Sequence, residues 1–173
     1  MKLQGEIITL RAMEPDDADV LYNWENNPEV WKVSNTVIPY SKTSISEFIA
    51  NERDIYLDKQ LRLIIVDNAN QKPVGCIDIF DFSMRHQRAG LGVLIANDED
   101  RKKGFANDAL RVIKSYAFEI LLLNQLFCNV PANNKASIAL FEKHGFIKAG
   151  VKKEWIRRSD GWMDEWFYQL LNQ

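Results

Sequence analysis

One stretch restricts this chain more than any other. The apolar run Leu91-Gly92-Val93-Leu94-Ile95 is followed by the basic turn Arg101-Lys102-Lys103-Gly104-Phe105-Ala106, which opens a helix-like segment reaching about residue 122. Backbone N–H groups at a helix start have no partner inside the helix, and the helix dipole adds positive partial charge there. A glycine at that point lets phosphate oxygens approach the amides. Strand, short basic turn and helix start form the layout of a diphosphate cradle, although two lysines also suit an ordinary solvated helix start. The spacing matches neither G-x-G-x-x-G nor G-x-x-x-x-G-K-[ST], the two phosphate loops with the strongest signatures.

About thirty residues downstream, after an apolar run at 126–130, comes Asn133-Asn134-Lys135-Ala136-Ser137-Ile138-Ala139-Leu140-Phe141-Glu142-Lys143-His144-Gly145-Phe146. With this segment the chain resembles the GCN5-related N-acetyltransferases (GNAT). Their cofactor loop, [Arg/Gln]-x-x-Gly-x-[Gly/Ala], is followed by a strand, Asn-x-x-[Ser/Ala], a short helix and Gly-Phe. The opening Leu10-Arg11-Ala12-Met13-Glu14-Pro15-Asp16-Asp17 and Trp24-Glu25-Asn26-Asn27-Pro28-Glu29 narrow the resemblance. So do Gly75 to Phe82 and His86 to Gly90. They are similar to the branch holding spermidine and diamine acetyltransferases and the acetyltransferases of ribosomal-protein N-termini. The likeness runs over roughly residues 5–170.

With 173 residues, 46% of them hydrophobic, the chain has enough apolar surface for one core, and residues 1–173 are expected to form a single domain. A net charge of −2 argues against a nucleic-acid partner, which calls for a basic face, and is compatible with a cationic amine. Cys76 and Cys128 sit in apolar runs and read as buried thiols of a reducing compartment rather than a disulfide or metal site. The first residues lack an apolar signal segment, and no run approaches the ~18 apolar residues that cross a bilayer. A cytoplasmic protein without membrane association is expected.

Periodicity predicts a strand at 7–10, a helix from Glu14-Pro15 with Ala18, Leu21, Tyr22 and Trp24 inward, a stop at Asn26-Asn27-Pro28 and a new segment at 30–33. A polar loop at 34–44 precedes a helix at 44–57, and strands follow at 61–66 and 74–82 around the turn at 67–73. The central strand is 89–95. The helix after Gly104 carries Ala106, Ala109, Leu110, Ile113, Ala117, Ile120 and Leu121 on one face. A strand at 126–130, a helix at 135–144 capped by Gly145, and strands at 146–149 and 165–171 complete an α/β chain. The family resemblance implies a single, mixed, mostly antiparallel sheet flanked by helices, with two splayed parallel strands forming an acetyl-CoA notch.

The resemblance also implies site residues. The pantetheine arm would lie along Val93, Leu94 and Ile95 like an added strand. The pyrophosphate would rest on amides between Arg101 and Asn107, that is Arg101, Lys102, Lys103, Gly104, Phe105, Ala106 and Asn107. Asn134 would contact the cofactor arm, its bland alternative being a helix N-cap. Many relatives carry a tyrosine seven residues after the motif asparagine as proton donor to the leaving thiol. Here that position is Phe141, and Ser137, itself beside the cofactor, is the candidate acid, with helix capping as its alternative. In a regular strand Asp78 shares a face with Phe80 and Phe82, and Asp81 one with Ile77 and Ile79. Desolvation there suits Asp81 to act as base; pairing of either carboxylate with Arg85, Arg88 or a turn amide is the alternative. Glu25, Glu29, Asp78 and Asp81 are the candidate amine-binding acids, with Trp24, Trp31, Tyr40 and Phe80 as possible walls. His86 and His144 have no metal-ligand spacing, His144 reading as a dipole-favoured helix end, and no metal is expected.

The resulting expectation is an acetyl-CoA-dependent N-acetyltransferase acting on a primary amine, first a polyamine or diamine, by direct attack in a ternary complex. Acetylation of a ribosomal or other protein N-terminus is the alternative within the fold, favoured by Ser137 and Phe141. A non-catalytic acyl-CoA-binding module is the alternative outside it. A homodimer or larger homo-oligomer is expected by analogy with relatives.

Overall fold

The computed structural model describes residues 3–32, 34, 36–51 and 54–172. Seven strands form one sheet: β1 (Ile8–Arg11), β2 (Leu61–Asp67), β3 (Pro73–Ser83), β4 (Arg88–Ile95), β5 (Gln125–Pro131), β6 (Ile147–Arg158) and β7 (Gly161–Leu171). Their spatial order is β1-β2-β3-β4-β5-β7-β6. Every neighbouring pair is antiparallel except β4 and β5. The helices are α1 (Ala18–Glu25), α2 (Pro28–Trp31), α3 (Lys42–Asn51), α4 (Ile55–Asp58), α5 (Phe105–Ser115) and α6 (Lys135–Lys143).

β2 shows how the layers arise. Its four consecutive buried residues divide by strand alternation: Leu63 and Ile65 join one apolar cluster, Ile64 and Val66 another. A strand covered on both faces reads as a continuous apolar run, as this one does. The first cluster takes Phe105, Ala109, Leu110, Val112 and Ile113 of α5 together with Phe141 of α6. The second takes Leu21 and Trp24 of α1 and Ile45 and Ile49 of α3. α5 is the crossover that a parallel β4–β5 pair requires. Among the described residues no helix is long and apolar enough to cross a membrane.

Several local expectations are corrected. After Ser115 the chain widens into a π-helical turn, Tyr116–Ile120, instead of continuing as α-helix to residue 122. The wider turn rotates the apolar face, so Ala117 is buried while Ile120 is half exposed. In β3 the pairing register breaks between Phe80 and Ser83, and Asp81 takes a left-handed φ of 48°. This bulge puts Phe82 into the same buried cluster as Ile77 and Ile79 and leaves Asp81 exposed, the reverse of regular alternation. The last hairpin begins at Ile147 and reaches Leu171 around a tight turn at 159–160, with register shifts after Lys148 and Lys152, because the charged segment 150–158 serves as an edge strand and carries no core alternation. The helix expected over 44–57 divides into α3 and α4; positions 52 and 53 between them, and position 33 of the segment at 30–33, lie outside the described residues.

Candidate active site

Parallel pairing between β4 and β5 extends over only Arg88–Gln125, Ala89–Leu126 and Gly90–Phe127. Beyond that point β4 remains bonded to β3 as far as Ile95, and β5 to β7 as far as Pro131, but the two facing edges carry no pairing to each other. The result is a V-shaped notch lined by strand N–H and C=O groups. Val93, Leu94 and Ile95 lie half-buried on one of its walls. Such an edge fits an extended, amide-containing cofactor arm.

At the rim, a 3-10 turn at Asp98–Asp100 leads to α5. Gly104 caps α5 with φ 91°, a conformation that glycine adopts without strain, and Lys102 before it is left-handed at φ 63°. The first intrahelical bond is Asp108 N–H to Gly104 C=O, and none of the amides from Lys102 to Asn107 donates to an acceptor among the described residues. That row of free N–H groups, at the positive end of a helix, fits a diphosphate. Arg101 is paired with Asp98 and Lys103 with Asp100, at 2.6 and 3.1 Å. Asn107 Oδ1 lies 3.2 Å from His144 Nε2. Burial, reinforced by Lys114, Lys143 and Arg111, holds the His144 pKa below its usual value, so a charged, dipole-favoured imidazole is not what closes α6. Asp108 anchors the cradle helix to β1, accepting the Ile7 and Ile8 amides at 2.8 and 3.2 Å and pairing with Arg111.

Asn134 caps α6, its Oδ1 accepting the Ser137 amide at 3.1 Å, while its side-chain NH2 makes no hydrogen bond among the described residues. The cap is therefore Asn134 and not Ser137, whose hydroxyl is also without a partner among them. Phe141 is a core residue, 4% exposed and edge-on to Phe146 at 5.1 Å. Cys128, the cysteine on the notch strand, points into the core, and burial pushes its thiol up to about 12. A thiol so rarely ionised is a poor nucleophile, which disfavours an acyl-cysteine intermediate.

The opposite sheet face, on the α1 and α3 side, is open at Gly92. Gly90 and Gly92 present no side chain, and the Phe80 ring covers Gly90 so closely that a Cβ there would lie 2.3 Å from it. A Cβ on Gly92 would meet nothing nearer than Asp78 Cβ and Phe80 at 4.0 Å. Beside this lane Phe80 meets Phe127 edge-on with centroids 5.7 Å apart, and Phe127 meets Phe167 at a tilt with centroids 5.6 Å apart. A cavity of about 430 Å³ lined by Asp81, Arg88, Gln125, Phe127, Phe167 and Gln169 lies next to them.

The candidate acids are dispersed on and around this face. Glu25 and Asp78 converge on Arg62, which binds Asp78 at 2.7 and 3.1 Å and also binds Glu25. Asp78 is thus paired with neither Arg85 nor Arg88, and Glu25, with a side chain 16% exposed, is not a solvated acid. Glu29 pairs with Lys32 at the surface, and Asp81 is exposed rather than flanked by apolar residues. Trp24 is core, Trp31 donates to the Glu25 carbonyl, and Tyr40 is partly exposed. Two groups escape sequence reading: Arg62, and the cluster Asn129–Lys152–Glu165, whose members come from three strands. A signal for the lane was present in the alternation Gly90-Leu91-Gly92, which strips one face of a strand of side chains.

Comparison with known proteins agrees with this geometry. The acetyltransferase (GNAT) domain model matches residues 8–147. An uncharacterized N-acetyltransferase, p20, of Bacillus licheniformis is 29% identical over 99% of this chain and 96% of its own. The spermidine N(1)-acetyltransferase of Vibrio cholerae serotype O1 is 27% identical over 83% of this chain and 80% of its own. The structure of spermidine N-acetyltransferase from Vibrio cholerae in complex with CoA and spermine superposes with a TM-score of 0.84 at 24% identity, covering 95% of both chains. The family uses acetyl-CoA, and the notch and cradle above are suited to it. The family match runs from β1 into the start of β6, across notch, cradle and α6 alike, and the chain belongs to the GNAT family of N-acetyltransferases.

Proposed function

We propose that this acetyltransferase transfers the acetyl group of acetyl-CoA to a primary amine of a small diamine or polyamine, by direct attack within a ternary complex. The observation that carries the reading is the splay of β4 from β5 at Gly90–Phe127, opening onto a side-chain-free lane at Gly92. Acetyl-CoA supplies an activated thioester; the protein has to hold it, polarise its carbonyl and manage two protons. A free strand amide of β4 serves the developing oxyanion. Arg101 to Asn107 and the Asn134 side chain hold the diphosphate and the arm. Ser137, with its hydroxyl uncommitted, protonates the leaving thiolate directly or through water, the role that Phe141 cannot fill. Asp81, exposed beside Arg88 and Phe127, passes the ammonium proton to solvent. Asp81, exposed on the acceptor face, gives it an attraction for a cation, and the relative named for spermidine supports the substrate class. Self-assembly into a dimer or larger ring is part of the same proposal.

The pairing of Glu25 and Asp78 with Arg62 favours a second reading, a peptide N-terminus, because it ties both carboxylates to one internal cation and cancels one of their two charges. The test is CoA release from acetyl-CoA against spermidine, spermine, putrescine, lysine, aminoglycosides and peptides with free N-termini. Turnover confined to the di- and polyamines is expected; turnover confined to peptides selects the second reading.

A further inference from the structure

The Lys152 ammonium sits among an amide oxygen, a carboxylate and an aromatic ring. Its Nζ lies 2.7 Å from Asn129 Oδ1 and 2.9 Å from Glu165 Oε1, with the Trp155 ring centroid at 5.2 Å. A carboxylate, an amide oxygen and an aromatic face together are what binds an alkylammonium ion. Asn129 stands on β5 two residues past the last pairing with β4, and strand alternation places it with Phe127 and Pro131 on the face opposite buried Cys128 and Val130. Glu165 lies on the same face of β7, directly across from Lys152. A purely structural cross-strand pair needs only Lys152 and Glu165; the third partner, on the splayed strand, extends the cluster to the notch. Glu165 is well covered, its side chain 14% exposed, whereas that of Lys152 is 33% exposed and rises from an edge strand whose register breaks just beyond it. The lysine can therefore leave for water while the acceptors stay in place.

We infer that Asn129 and Glu165 form the subsite for the distal ammonium of a diamine acceptor, and that Lys152 is a tethered occupant which the substrate displaces. This rests on the amine-acetyltransferase reading. The test is calorimetric titration of putrescine and of butylamine into wild type, Lys152→Met and Glu165→Gln without acetyl-CoA, with turnover measured separately. A charge-assisted hydrogen bond gained or lost corresponds to about tenfold in affinity. Lys152→Met is expected to tighten putrescine about tenfold and Glu165→Gln to weaken it about tenfold, with no matching tightening of the monoamine in Lys152→Met. Unchanged or weakened putrescine binding in a folded Lys152→Met protein, judged by its circular dichroism and melting, overturns the subsite. The expected titrations without turnover of any amine keep the subsite and overturn the acetyl-transfer reading instead.

Discussion

Gly90 and Gly92 lie two residues apart on one strand face, yet alanine at the two positions should have opposite consequences. At Gly90 the new Cβ would sit 2.3, 2.5 and 2.7 Å from three atoms of the Phe80 ring, which is itself wedged against Phe127. Overpacking of this kind costs about 1–3 kcal/mol. For a domain of this size that lowers Tm by about 2–12 °C. At Gly92 the nearest atoms stand at 4.0 Å, an ordinary contact. Alanine there restricts the unfolded chain and stabilises by about 0.4–1 kcal/mol, or about 1–4 °C. In the proposed reading the same methyl stands in the lane through which the amine reaches the thioester, where a misplacement of about 1 Å costs about 10²-fold. Gly92→Ala should therefore be as stable as wild type or more so, and poorly active. Scanning calorimetry and initial rates of CoA release measure both sides. Wild-type kcat/KM in Gly92→Ala, or a Tm loss equal to that of Gly90→Ala, would refute the assignment of this face to the acceptor.

Arg62→Met strands the Glu25 and Asp78 carboxylates, and breaking a largely buried ion cluster costs about 3–5 kcal/mol, read as a fall in the urea midpoint. Burial alone would raise the Asp108 pKa, but the Ile7 amide, Arg111 and the Ile8 amide outweigh it and hold it below the ordinary value. Its stabilising contribution is thus complete above about pH 4 and is lost as pH falls through the depressed folded-state value. Asp108→Asn should accordingly lose about 1.5–3 kcal/mol at neutral pH, with the gap to wild type closing as the solution is acidified, followed by denaturant titration at several pH values. Ser137→Ala should lower kcat by up to about 10²-fold with little change in acetyl-CoA affinity, and Phe141→Tyr introduced into that background should recover part of the loss if its hydroxyl reaches the leaving thiol.

What the sequence discloses and what it hides divide along physical lines. The cradle is local: Gly104, the lysines before it and the apolar helix after it lie within one continuous segment, so its chemistry is readable in order. Gly145, at φ 86°, is legible as a cap for the same reason. The β3 bulge is not, because Asp81 looks like an ordinary alternating position until the pairing of Phe80 with Gly90 and of Ser83 with Arg88 forces one residue out of register. The Arg62 cluster joins residues 37 and 16 positions away, and nothing in either neighbourhood announces a partner. Residues 150–158 carry no strand signal because an edge strand needs no apolar alternation. The π-turn after Ser115 is likewise set by how α5 meets the sheet rather than by local propensity. The proposed acceptor side is thus assembled from distant segments, and the proposed diphosphate cradle is written almost in one line.

The most direct test of the account varies acetyl-CoA and the amine together in initial-rate experiments and follows the intact protein by mass spectrometry after exposure to acetyl-CoA alone. Direct transfer in the notch predicts intersecting double-reciprocal lines, N-acetylated amine formed in step with free CoA, and no acetylated protein that hands its group to added amine. Parallel lines, together with an acetyl-protein that is discharged by the amine, would contradict it.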